Sequence, residues 1–119
     1  MIIKNEDRTK HIRHGVRDGH GDVYEELVVP PEELCGNGRL YAKETLKPGD
    51  SIGYHDHQGE REIYFILDGK AKVVDDGMPS IVLKDDVMIT GSGHAHSIEN
   101  VGSKDLIFMA LIINESDHE

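Results

Sequence analysis

From Pro48 to Gly69 the chain reads PGDSIGYHDHQGEREIYFILDG, with two histidines, a carboxylate and a phenol among apolar residues. His55 and His57 are two apart, Glu62 follows, and Tyr64 lies just beyond it. In a β-strand alternate side chains share a face, so His55 and His57 point the same way. Their Cα atoms would lie about 6.6 Å apart at ~3.3 Å rise per residue. Two imidazoles at that spacing can converge on one ion through bonds near ~2.1 Å. Gln58-Gly59-Glu60 reads as a turn, and a returning strand from about Arg61 is expected beside the first. On that strand Glu62, Tyr64 and Ile66 share one face. A carboxylate facing inward needs a partner, because an unpaired buried charge is very costly. A metal ion held by His55 and His57 supplies one. A further ligand is offered by TGSGHAHSIEN. His96 opens a strand-like segment after a glycine-rich turn and is favoured over His94, which sits nearer the loop. Glu60 falls in the turn and is expected to face water, so Glu62 is the preferred carboxylate. Any one of these histidines alone reads as a surface or core residue; two His-X-His pairs with a carboxylate read as a metal site.

The elements that must hold these groups are short. Nine runs look like strands: DVYEELVV, RLYAKETL, SIGYHDH, REIYFIL, KAKVVD, SIVLK, DVMIT, HSIEN and DLIFMALII. Asp68-Gly69 is a two-residue hairpin signal and Asp76-Gly77 marks another turn. VPPEEL allows one helical turn after Pro30 and Pro31. No segment sustains a 3.6-residue period. Both faces of the strand from Arg61 are apolar enough to be covered, as in a barrel wall. Many short strands in 119 residues predict an all-β sandwich or barrel. Residues 1–21 are polar and read as a loosely structured amino-terminal arm, and 22–119 as a single barrel domain.

Composition narrows the function. The formal net charge is −10, and an acidic surface repels phosphate backbones, so nucleic acid is not an expected partner. The longest apolar run, Leu106 to Ile113, is far too short for a membrane-spanning helix. The amino terminus turns polar after three residues and shows no signal pattern, so a cytoplasmic location is expected. The single cysteine, Cys35, reads as an ordinary thiol rather than a nucleophile.

Two spaced motifs resemble those of the cupin superfamily. The first, Gly, five residues, His-X-His, then Glu and Gly, is filled by Gly49, His55, His57, Glu62 and Gly69. The second is matched by Gly93, His96 and Asn100, with Asp85 where the family has Gly and Gly91 where it has Pro. Fifteen residues between the motifs resemble compact single-domain members. The resemblance implies a double-stranded β-helix, or jelly-roll barrel, with a divalent metal on His55, His57, Glu62 and His96. This ligand set suits Fe, Mn, Ni, Co or Zn without choosing among them. It leaves the reaction open, since cupins include dioxygenases, isomerases, lyases, sugar binders and storage proteins. Three neutral imidazoles, one carboxylate and a +2 ion sum to about +1, which suits a small organic anion as substrate or ligand.

Tyr64 is the candidate catalytic group, as hydrogen-bond donor or acid–base residue, with a cavity-wall role as the alternative. Arg39, Tyr41 and Lys43 precede the motif and are expected on the surface, and Asn100 is expected to hold a turn. An oxygenase, isomerase or lyase is one expectation; a non-catalytic small-molecule or sugar binder is the other. A storage-type barrel would not need the quartet. A homodimer is also expected, with the arm adding to a neighbour's sheet edge.

Overall fold

The computed structural model describes residues 1–116. Ten strands form two antiparallel sheets. They are β1 (Lys10–His14), β2 (Asp22–Leu27), β3 (Gly38–Leu46), β4 (Ser51–Asp56), β5 (Glu60–Asp68), β6 (Lys70–Asp75), β7 (Met78–Leu83), β8 (Val87–Thr90), β9 (Ala95–Asn100) and β10 (Leu106–Asn114). The larger sheet runs β1-β2-β3-β10-β5-β8 and the smaller β4-β9-β6-β7. Three short 3₁₀ turns, Asn5–Asp7, Val16–Asp18 and Pro31–Leu34, complete the regular structure of the described residues. The sheets pack face to face as a jelly roll; the strand pattern predicted a sandwich or barrel, and the family resemblance implied this form of it.

Alternation dictates what lies between them. On β3 Ala42, Glu44 and Leu46 face inward; on β5 Glu62, Tyr64 and Ile66; on β10 Leu106, Phe108, Ala110 and Ile112. From the smaller sheet Ala71, Val73 and Ile98 meet them. Among them His57, Glu62, Thr90 and His96 gather in one polar group, apart from Asn100, which bonds the Leu46 carbonyl. Burying the large side chains Tyr64, Phe108, Leu46 and Ile66 stabilises the fold by roughly 1.5–3 kcal/mol each before entropy is counted.

Three local readings differ from the structure. Asp68-Gly69 is not a hairpin: β5 and β6 belong to different sheets, so the chain crosses the barrel there. Gly69 takes φ 99° at that crossing, and a Cβ would come within 2.9 Å of the backbone of Asp105 and Leu106. Asp76-Gly77 does close a two-residue hairpin, joining Asp75 to Met78 with φ of 47° and 84°. Nor does β5 lie beside β4; β4 pairs with β9, and β5 with β10 and β8. The jelly-roll connection carries the chain to the facing sheet, so His57 and Glu62 meet across the barrel.

Residues 10–14, read as part of a loose arm, form β1 and pair along their length with β2. Polar side chains on both faces hid the strand. The arm then turns through Val16–Asp18 and lies on β4, and the approach is close. A Cβ on Gly53 would fall 1.9 Å from the Arg17 carbonyl oxygen, and one on Gly19 would fall 2.3 Å from that of Ser51. Gly53→Ala is therefore expected to lift the 15–19 turn off β4. The cost should be about 1–3 kcal/mol, read as a lowered thermal midpoint, with the barrel still folded. An unchanged midpoint would show that the turn is not docked.

Candidate metal centre

β4 would aim the wrong residues inward if it paired regularly. Its register with β9 runs Ile52↔Ile98 and then His55↔His96, one residue more on β4 than on β9. This bulge at Gly53-Tyr54 reverses the alternation, so Tyr54 turns out to solvent and His55 and His57 turn in. β5 delivers Glu62 from the opposite sheet, and β9 delivers His96.

The four side chains predicted as ligands converge: one ligand atom from each lies within 4.8 Å of the others. His57 Nε2 is 3.0 Å from Glu62 Oε1 and 3.1 Å from His96 Nε2. His96 Nε2 is 3.2 Å from His55 Nε2 and 3.1 Å from Glu62 Oε1. Two ligands at right angles on one ion, each about 2.1 Å from it, stand about 3.0 Å apart. The donor set therefore fits a small divalent cation.

The outer ring nitrogens say the same thing. His55 Nδ1 donates to the Gly53 carbonyl at 2.7 Å, and His57 Nδ1 to Glu60 Oε1 at 3.1 Å. Both partners can only accept, so each ring keeps its proton on Nδ1 and turns a bare Nε2 inward. His96 Nδ1 meets Thr90 Oγ1 at 2.8 Å, which can accept in the same way. Three imidazole lone pairs and a carboxylate oxygen then face one point, and such an arrangement calls for a cation. Burial acts to raise Glu62, but hydrogen bonds with His57 and His96 outweigh it and hold the carboxyl down at about 2. His57 is raised by its hydrogen bond to Glu62, whereas burial lowers His55.

Glu60 does not face water as the turn reading expected. It begins β5, accepts from His57, and is gripped by Arg39 through Nε and Nη2, both at 2.8 Å. Hydrogen bonding to Arg39 is the main reason its carboxyl lies at about 2. Arg39 thus supports the site, whereas Tyr41 and Lys43 belong to the outer side of β3, where Lys43 approaches Glu26. Glu60→Ala should leave the ligands in place but free the His57 ring, weakening metal affinity by about 10–100-fold. Calorimetric titration of the metal reads this directly; wild-type affinity would remove Glu60 from the account.

Tyr64 is 2% exposed, stacks on His96 with ring centroids 5.0 Å apart, and packs against Phe108. Burial, then the nearby charges of Glu62 and Glu44, push its phenol well above the usual range. It is a neutral donor at neutral pH. His94 lies outside the cluster, paired with Asp76 near the surface. Asn100 holds turns as expected, donating to the Leu46 and Lys104 carbonyls and accepting from the Gly102 amide.

A cavity of about 60 Å³ borders His55, His57, Glu62 and Tyr64. Its other walls include residues that the sequence reading did not assign to the site: Arg13, Arg17 and Glu44. Arg17 makes no ion pair among the described residues and sits at φ 54°, left-handed backbone that is costly for a residue with a side chain.

The cupin domain family model matches residues 42–112, from the middle of β3 through most of β10. The chain is a cupin. This cupin is 39% identical over 113 residues to a protein of Thermotoga maritima named oxalate-binding protein, covering 95% of this chain and 93% of that one. The crystal structure of a predicted oxalate decarboxylase from Thermotoga maritima superposes with a TM-score of 0.91. That match is at 38% identity and covers 97% of this cupin and 100% of the other chain. KdgF from a Halomonas species shares the fold at a TM-score of 0.76 with 12% identity, covering 98% of this chain and 96% of its own. The departures in the second motif are absorbed locally. Asp85 adopts φ 73°, which Asp tolerates better than most residues, and Gly91 leaves His96 correctly placed.

Proposed function

We propose that this cupin holds one divalent metal ion on His55 Nε2, His57 Nε2, Glu62 Oε1 and His96 Nε2, and binds a small organic anion beside it. The observation that carries the reading is the set of four inward lone pairs, two of them fixed by acceptors behind their rings. Fe, Mn, Ni, Co and Zn all suit these ligands. When bound, the ion supplies Lewis acidity, and with iron or manganese redox capacity.

The chain's own groups favour an anion. Arg13, Arg17 and Arg39 line the cavity; Arg13 and Arg39 already face carboxylates, and Arg17 is left to meet a ligand. A guanidinium recognises a carboxylate through paired N–H donors. The name of the Thermotoga relative supports the same ligand class. Tyr64 keeps its proton and offers it as a hydrogen bond to the ligand, and the enclosing apolar residues Leu40, Ile52 and Ile112 limit water. On this reading the protein is an enzyme of oxygenase, isomerase or lyase type. A non-catalytic anion binder is the second reading, favoured by the relative's name.

Titrating oxalate and other small carboxylates into Mn²⁺-loaded protein tests the anion. Binding in the wild type that weakens about tenfold or more in Arg17→Gln supports it. No heat from any carboxylate contradicts it. A panel of the same acids with Fe²⁺, Mn²⁺ and Ni²⁺ then separates enzyme from binder by product formation.

The homodimer remains a proposal. Residues 10–14 of the arm pair with β2, which makes β1 the edge of the larger sheet, where the expected strand addition would act. A second surface also suits a partner: the outer face of the larger sheet carries Phe65 and Val87 as cross-strand partners, Ile63 opposite Ile89, and Tyr41 nearby across β10. Phe65, Val87, Ile89 and Tyr41 are all exposed, a contiguous apolar face that suits a second copy. Light scattering at micromolar concentration is expected to give twice the 13.3 kDa chain mass. A monomer mass would refute the dimer.

A further inference from the structure

One apolar wall of the cavity is held differently from the rest. Leu40 stands on β3, Ile52 on β4 and Ile112 on β10, each fixed by a strand ladder. Val16 supplies the remaining apolar wall and stands on no strand. It belongs to the tip of the β1–β2 hairpin, whose ladder ends at His14 opposite Asp22. From Gly15 to Asp22 the chain reads GVRDGHGD, so Val16 is the one apolar side chain of that tip. It is half-buried and packs against the main core cluster.

The tip is built into place. Within it the Asp18 N–H donates to the Gly15 carbonyl at 3.0 Å, and the Gly19 N–H to the Val16 carbonyl at 2.9 Å. Just beyond, Ser51 N–H donates to the His20 carbonyl and His20 N–H to Ser51 Oγ, each at 2.8 Å. Gly19 has φ −74°, backbone that any residue adopts, so its missing side chain serves close approach alone. A Cβ there would lie 2.3 Å from the Ser51 carbonyl oxygen and 2.8 Å from Gly53 N. Arg17 and Asp18 in succession adopt φ of 54° and 61°. Left-handed backbone at two such residues is costly and persists only where the surroundings enforce it. The enforced tip sets Val16 into the cavity wall and leaves Arg17 at the exposed rim. It is also tied to the metal centre through one residue. Gly53, whose missing side chain admits the Arg17 carbonyl, accepts from His55 Nδ1 through its own carbonyl.

We propose that Val16 gauges the length of the ligand: the site takes a carboxylate of two carbons and rejects one longer by a methylene. The inference rests on the small-anion reading above. The cavity of about 60 Å³ is far smaller than the roughly 300 Å³ at which ordinary ligand pockets begin, so one methylene is a large share of its room. A close-packed wall answers an added methylene with strain rather than by yielding.

Calorimetric titrations of oxalate and of malonate into Mn²⁺-loaded full-length protein test the inference. The two acids chelate the ion with different intrinsic strength. The readout is therefore the malonate-to-oxalate affinity ratio of each variant relative to wild type, in which that difference cancels. Val16→Ala cuts back the wall and should raise the ratio about tenfold or more, the usual worth of a methylene in an apolar pocket. Gly19→Ala keeps Val16 but lifts the tip from β4, and it should raise the ratio as well. Val82→Ala is the control: this valine also packs on the core cluster but does not border the cavity, and its ratio should match wild type. An unchanged ratio in Val16→Ala or in Gly19→Ala overturns the inference, as does an equal rise in Val82→Ala. If oxalate binds and the ratio never moves, this inference alone fails. If neither acid binds the metal-loaded wild type, the small-anion reading fails and takes this one with it.

Discussion

His57→Ala is expected to abolish stoichiometric metal binding, with affinity falling by far more than the roughly 100-fold that a supporting residue commands. His57 stands at the centre of the quartet: its Nε2 touches both Glu62 and His96, and its Nδ1 is held by Glu60. Removing it takes away one ligand and leaves Glu62, a buried carboxylate, with fewer partners. Activity or anion binding that depends on the ion should disappear with it. The matching control is His94→Ala. That side chain is outside the cluster, paired with Asp76, and its loss should leave metal content at the wild-type level. Elemental analysis of untagged protein separates the two. Equal metal in His57→Ala and wild type would mean that the ion is held elsewhere.

Tyr64→Phe carries the second large effect. The ring stacks on His96 and packs on Phe108, and Phe preserves both contacts at nearly the same volume. Folding and metal content should survive. Only the hydroxyl is lost, and with it the hydrogen bond or proton it gives to a reacting group. For a substrate that wild type turns over, kcat should fall by about 10²- to 10⁴-fold. Because burial and the charge of Glu62 hold the phenol neutral, the wild-type profile should show no loss of activity on titrating this phenol as a base near pH 7. Unchanged turnover in Tyr64→Phe removes this residue from the mechanism. Anion binding without turnover in either protein favours the binder.

The convergence of the quartet was legible in the sequence although the strand pairing assumed for it was not correct. Parity is a property of one strand at a time. Once Glu62 and Tyr64 share the inward face of β5, they point into the interior whether β4 lies beside that strand or opposite it. The two histidines two residues apart remain together even when a bulge shifts their register, and the bulge at Gly53-Tyr54 left no mark in the residue pattern. The crossing at Asp68-Gly69 was hidden for a related reason. A left-handed glycine serves a hairpin and a sheet-to-sheet crossing equally well, and only long-range pairing tells them apart.

The cavity walls opposite the quartet were less legible. Arg13 and Arg17 come from a segment whose polarity suggested no strand, and β1 exists because β2 offers it an edge. Arg39 looked like a surface residue, and its side chain is indeed half exposed, yet its guanidinium grips the carboxylate that orients His57. Glu44 did leave a signal: it falls between Ala42 and Leu46 in the register of buried residues. The barrel domain was read as extending to residue 119, and its last three residues lie outside those described.

The most direct test of the central claim is a calorimetric titration of Mn²⁺ into chelator-stripped, untagged protein, for wild type and His96→Ala. One ion per 13.3 kDa chain is expected in the wild type and no saturable site in His96→Ala. Absence of binding in the wild type after reloading with each of Mn²⁺, Fe²⁺, Ni²⁺, Co²⁺ and Zn²⁺, or undiminished binding in His96→Ala, would contradict it.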